Sequence, residues 1–201
     1  MAKLQLNKSS LARESQSLRN YERFLPSLDL KRQQLMAERA KAVRALSQTR
    51  GQIGTLTRQV GRSLPMLSNQ DVDLTGLVRI SDVRLATENL VGTHLPRLEA
   101  VEVEVKSYAL LAKPHWVDNV VAALREVLEL RVRVQVDERR LVLLDGAVKT
   151  ITQRVNLFDK VLIPNARANI KRIKVFLSDE EMAAVVRSKI AKRKHSAEGT
   201  V

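Results

Sequence analysis

Apolar and polar positions along the chain fall into three textures. From Ser10 to Leu64 the pattern is helical. Leu28, Leu35, Ala42, Leu46, Ile53, Leu56 and Val60 follow three- and four-residue steps close to a seven-residue repeat. Lys31, Arg32, Glu38, Arg39, Lys41 and Arg44 lie between them. Ser9 or Ser10 reads as the N-cap. Pro26 predicts a kink or restart, because an interior proline removes a hydrogen bond and crowds the preceding turn. Gly51 and Gly54 each weaken the helix by about 1 kcal/mol relative to alanine. They mark either a close backbone approach or local looseness.

The second texture covers residues 65–116. Leu77–Leu85 and Val101–Val105 alternate apolar and polar and predict short strands. The stretch N-L-V-G-T-H-L-P between them carries turn chemistry around Gly92. A small β-hairpin follows. An isolated hairpin is marginal, so it must pack on a helix or a partner. Trp116 reads as the anchor where the next arm begins.

The third texture runs from Val117 to the C-terminus. R-V-R-V-Q-V, Arg131–Val136, alternates like a strand, but a helical track runs through it. Leu130, Val134, Leu141, Leu144, Val148, Ile151, Val155, Phe158 and Leu162 step by three and four, with Asp137 the polar exception. Beyond Pro164 the track shifts to Ala166, Ile170, Ile173 and Leu177, as a kink at the proline requires. S-D-E-E, Ser178–Glu181, has capping-box form and predicts a fresh helical piece from Met182 to Ala191. The last ten residues, K-R-K-H-S-A-E-G-T-V, read as a disordered tail.

The expected fold is therefore mainly α. Two arms, 1–64 and 117–191, flank a middle region, 65–116, and precede a basic tail, 192–201. The arms return alongside each other as a long antiparallel two-helix coiled coil. With the turn-back near residue 90, Pro26 falls near Arg154 and Pro164 near Gln16. A C-terminal arm from Val117 to Leu177 would span about 90 Å.

Charge sharpens this picture. The net is +13, distributed as +9 over residues 1–63, −2 over 64–116, 0 over 117–159 and +6 over 160–201. Both ends of the chain are basic and meet at one end of the coil, which suits an acidic partner. Cysteine is absent, excluding disulfides and thiolate zinc sites and favouring an intracellular reading. No apolar run approaches a membrane span, and M-A-K-L-Q-L-N-K-S-S lacks a signal-peptide core.

Catalytic chemistry is not visible. There is no Gly-rich phosphate loop. His94, His115 and His195 are scattered, so no catalytic, cofactor or metal site is expected. Asp179, Glu180 and Glu181 are explained by a helix N-terminus, where acids complement the macrodipole.

The stretch R-V-N-L-F-D-K-V-L-I-P-N-A-R-A-N-I-K-R-I-K-V-F-L-S-D-E-E, Arg154–Glu181, closely resembles the signature of the D subunit of V-type and archaeal-type ATPases. V-R-S-K-I-A-K-R-K, Val186–Lys194, resembles the basic segment that follows it. Leu28–Leu35 and Val78–Pro96 are similar to the family's earlier segments, and L-D-L-K departs from the usual L-L-K-x-K form. Arg154, Val155, Asn156, Ile163 and Pro164 are the motif residues. The resemblance implies a non-catalytic central rotor shaft that couples ATP hydrolysis or synthesis to ion transport. Its partners would be the catalytic A and non-catalytic B subunits of the head, the F subunit of the central stalk, and the adaptor on the membrane ring. It would be cytoplasmic, held at the inner membrane face through the complex, and not a homo-oligomer. The head-contacting end would comprise Lys3, Lys8, Arg187, Lys189, Lys192, Arg193 and Lys194. Pro26, Pro164 and the register shift would give the shaft a bend. Charge alone also admits a nucleic-acid-binding basic coiled coil. Against that, the aromatics Tyr21, Phe24, Tyr108, Trp116, Phe158 and Phe176 are scattered rather than interleaved with basic residues.

Overall fold

The structure is a computed structural model that describes residues 4–68, 74–108 and 114–198. Helix α1 spans Lys8–Ser63, and a 3-10 turn follows at Pro65–Ser68. Strands β1 (Val78–Leu90) and β2 (Thr93–Val105) form an antiparallel pair. Helix α2 covers Trp116–Leu157, a π-helical turn covers Phe158–Leu162, and α3 covers Ile163–Glu198. Two compact units result. One runs up to Leu30 and again from Ile151, and the other is Lys31–Thr150.

In the unit Lys31–Thr150, Leu35, Ala42 and Leu46 are buried as their seven-residue track predicts, and Ile53, Leu56 and Val60 are half-buried. Thr49 is the polar member of the seam; its hydroxyl donates to the Ala45 carbonyl at 3.0 Å. Antiparallel pairing shows in Arg39 with Asp145 and in Arg50 with Glu138 at 2.6 Å. Residues 131–136 are helical, with Val132 and Val136 buried. The expected seam residues Leu130 and Val134 are only half-buried. Alternating apolar residues on a helix cover two faces, and α2 has two neighbours here, α1 and the hairpin. No backbone or side chain comes within 4 Å of a Cβ placed on Gly51 or Gly54, so neither marks a close approach.

Each strand has 13 residues, longer than the sequence pattern predicts, because the turn takes only Val91 and Gly92. Both adopt positive φ, 51° and 80°, and the Gly92 amide donates to Asn89 Oδ1 at 2.9 Å. This is the geometry a tight two-residue hairpin needs. Pro96, opposite Thr87, is tolerated because a two-stranded sheet consists of edges. Arg79 with Glu104 and Arg84 with Glu102 pair across the strands. Arg140 of α2 ties the hairpin down, donating to Glu88 at 2.9 Å and to the Pro96 carbonyl at 3.5 Å. Its side chain is only 17% exposed. Leu95 is fully buried.

A separate apolar cluster of Leu64, Leu77, Trp116, Val117, Val120 and Val121 closes the end of this unit. Trp116 is thus the anchor expected of it. Tyr108 donates to Asp118 at 2.6 Å over this cluster, and that bond raises the Tyr108 pKa.

In the other unit α1 again runs antiparallel to its partner. Tyr21 meets Phe158 edge-on at 5.5 Å, Arg167 donates to Glu22 at 2.7 Å, and Asn169 donates to Glu14 at 3.3 Å. Ile151, Val155, Ile163, Ala166 and Ile173 form the buried face.

Several local expectations change. The α1 cap is Asn7, whose Oδ1 accepts the Ser10 amide at 2.7 Å; this leaves Ser9 and Ser10 inside the helix. Pro26 neither ends nor restarts α1, which continues from Lys8 to Ser63. It is exposed, so the carbonyl it leaves unpaired can turn to water. Ser178–Glu181 starts no new helix, because α3 runs through it unbroken. Nor does helix stop at Ala191. It reaches Glu198 on alanine, lysine and arginine, all good helix formers, where the sequence predicts a disordered tail. Residues 199–201 lie outside the described residues. The register shift lies before Pro164, in the π turn, where the Ile163 amide bonds the Phe158 carbonyl.

Candidate functional site

The family-motif residues divide by burial. Val155 and Ile163 are buried seam positions, whereas Arg154, Asn156 and Pro164 are exposed. The π turn at Phe158–Leu162 lies between the two halves of the motif. Pro164 is the second residue of α3, where a missing amide proton costs little because the preceding turn is already irregular.

Of the basic residues expected at one end, Lys3 lies outside the described residues. Lys8 pairs with Glu181 at 3.8 Å, with both side chains largely exposed. Arg187, Lys189, Lys192, Arg193 and Lys194 lie further along α3, all exposed. The start of α1 therefore sits beside Glu181, and Arg187 follows about 9 Å further along the helix axis. Lys8 does not join that cluster.

What the charge count misses is apolar. From Ser178 to His195 every residue is exposed. Among them Met182, Val185, Val186 and Ile190 are 59%, 55%, 54% and 51% accessible. Met182, Val186 and Ile190 repeat every four residues and share one helix face. Lys189, Lys192 and Arg193 flank them around a shallow depression of about 490 Å³. An exposed apolar stripe edged by cations on a helix is what helix-in-groove recognition uses. The helical spacing of those four residues was the signal available in the sequence.

A second recess lies in the unit Lys31–Thr150, beside the Trp116 cluster. It has a volume of about 420 Å³ and is lined chiefly by Val60, Leu67, Leu74, Val120, Leu124 and Val127. Its lining is mostly apolar, with Thr57 and Thr75 the polar members, and carries no acidic, basic or imidazole side chain. Among the described residues no group of His, Cys, Asp and Glu could hold a metal ion. No helix among them is long and apolar enough to cross a membrane.

A family model described as the D subunit of ATP synthase matches residues 10–193. The chain belongs to that family. The V-type ATP synthase D subunit of Borreliella burgdorferi is 33% identical over 192 residues, covering 96% of this chain and 95% of the relative. The Chlamydia felis protein of the same name is 31% identical over 200 residues, with 96% and 94% covered. That of Chlamydia trachomatis is 29% identical over 203 residues, with 96% of each covered. The match takes in both helical arms, the hairpin and all but the last turn of α3. The chain is thus a D-type subunit of the V-type ATP synthase class.

Proposed function

We propose that this chain is the central-stalk rotor subunit of a V-type ATPase. It couples ATP hydrolysis or synthesis in the catalytic head to proton or sodium transport through the membrane ring. The observation that carries this reading is the C-terminal part of α3, an uncovered helix with an apolar stripe and basic flanks. On a chain of this family such a helix suits insertion among the A and B subunits of the head. The F subunit and the ring adaptor take surfaces on the unit Lys31–Thr150. The apolar recess at Val60, Leu74 and Val120 is one of these. The chain contributes no catalytic residue. It acts because successive head conformations bind its faces with different affinity, and only differential contact shifts a conformational population. It resides in the cytoplasm, peripheral to the inner membrane face through the complex.

The test is to tag the chain in its own cells, solubilise gently and weigh its assembly by native mass spectrometry. An ATP-hydrolysing complex containing A, B and F subunits is the expected result. A lone chain, or one carrying nucleic acid that salt strips away, would overturn the proposal and favour the nucleic-acid reading.

A further inference from the structure

The seam that α2 and α3 present to α1 consists of two apolar tracks that do not join. Ile151, Val155, Phe158 and Leu162 form the first, and Ile163, Ala166, Ile170, Ile173 and Leu177 the second. Each alternates steps of three and four. Continuing the first past Leu162 would place Asn165, Asn169 and Arg172 on the seam. Extending the second backward would place Asp159, Asn156 and Thr152 there. One residue is surplus between the tracks, and it must be absorbed between Val155 and Ile163. The π turn at Phe158–Leu162 holds it: the Ile163 amide reaches back five residues to the Phe158 carbonyl.

That turn is confined on both sides. Moving it toward the N-terminus would bring Asn156 and Asp159 onto the buried face in place of Val155 and Phe158, and burying those polar groups is unfavourable. Moving it one residue toward the C-terminus needs an amide proton at position 164, and Pro164 has none. Each residue added to or removed from an α-helix turns everything beyond it by about 100°.

We propose that the π turn, with Pro164 as its stop, is an angular register lock. It sets which way the terminal segment of α3, with Met182, Val186 and Ile190, faces relative to α1. Pro164 is on this account a positioning residue, and the proposal rests on the rotor reading only where it concerns coupling. A lock of this kind predicts an unusual tolerance. Removing one residue from the π turn converts it to an α turn and leaves the downstream facing unchanged. Removing two, or adding one, turns the remainder of α3 out of phase.

The chain has no cysteine, so a Glu14→Cys, Asn169→Cys pair can be introduced cleanly. These residues are in hydrogen-bond contact. Joining them with a short bis-maleimide reads the facing of α3 in the purified full chain, independently of any motor. Deletion of Lys160 should retain the parent cross-linking yield within twofold and leave helical content intact. Deletion of Asp159 and Lys160 together, or insertion of an alanine after Lys160, should lower the yield at least fivefold. Loss of the cross-link or of the fold on deleting Lys160 alone would overturn the lock. Equal tolerance of all three changes would also overturn it, showing a slack joint instead. In the assembled ATPase the single deletion should keep ion transport coupled to hydrolysis and the insertion should uncouple it. If the cross-linking pattern holds but coupling is indifferent, the rotor reading fails and the lock stands.

Discussion

Val91 is a β-branched residue held at φ 51°, a region such residues avoid because the branched side chain crowds the backbone. Strain of this sort costs about 1–3 kcal/mol. Val91→Asn should relieve part of it, since asparagine tolerates this conformation, and should raise the thermal midpoint of the chain. A fall would mean that burial of the valine side chain outweighs the strain. Asp137 is the polar interruption in the α2 track. Burial raises its carboxyl pKa, and the nearby Arg133 and Arg140 only partly oppose that. The folded state therefore holds this proton more tightly than the unfolded chain. Stability from this group falls as pH rises from the ordinary carboxylate value of 3.8 through the raised folded value. Asp137→Asn should flatten that part of the stability profile without loss at neutral pH. A steeper acid-to-neutral loss in the variant, measured by urea unfolding across about pH 4 to 7, would refute the assignment.

The helical arms and the hairpin were legible in the sequence because hydrophobic period is a strong signal over long segments. Leu35, Ala42 and Leu46 sit where the seven-residue repeat puts them, and residues 131–136 are helix despite their alternation. The punctuation was harder to read. Pro26 and Ser178–Glu181 look like boundaries locally, yet α1 runs on past an exposed Pro26 with Leu25 and Leu28 half-buried beside it, and α3 runs unbroken through Ser178–Glu181 with those four residues exposed. The offset between the apolar tracks is visible in the sequence, where Pro164 is its obvious local cause. A π turn has no residue signature of its own; only the one-residue surplus betrays it. At the candidate site, cationic residues were legible because charge needs no structure, whereas the apolar stripe at Met182–Ile190 matters only once its exposure is known. The hairpin's attachment was not legible, since Arg140 meets Glu88 across 52 residues of sequence. Arg140→Ala should cost about 1.5–3 kcal/mol, the range for a hydrogen bond to a charged group. Faster amide exchange should be confined mainly to β1 and β2. Unchanged exchange there would show that Arg140 does not hold the hairpin and that apolar contacts such as Leu95 suffice.

At the scale of the whole molecule the proposed rotor role depends on an end that is apolar as well as basic. Exposed charges contribute little individually and are screened by salt, whereas buried apolar area is not. Replacing Met182, Val186 and Ile190 by serine should therefore weaken assembly with the head by at least tenfold at physiological salt. Neutralising Lys189, Lys192, Arg193 and Lys194 should chiefly slow association and make it insensitive to salt. Both are measurable by titrating the variants into the remaining subunits. The opposite ranking would return the interface to electrostatics.

The hairpin carries one further consequence. With only two strands, each has an outer margin of unpaired backbone groups, the feature that recruits neighbouring chains into aggregates. Here that margin is guarded. Pro96 withholds a donor near the turn end of β2, and Arg79, Arg84, Glu102 and Glu104 set ionised groups along the ribbon. Edge-to-edge growth of this ribbon into fibrils is thereby disfavoured.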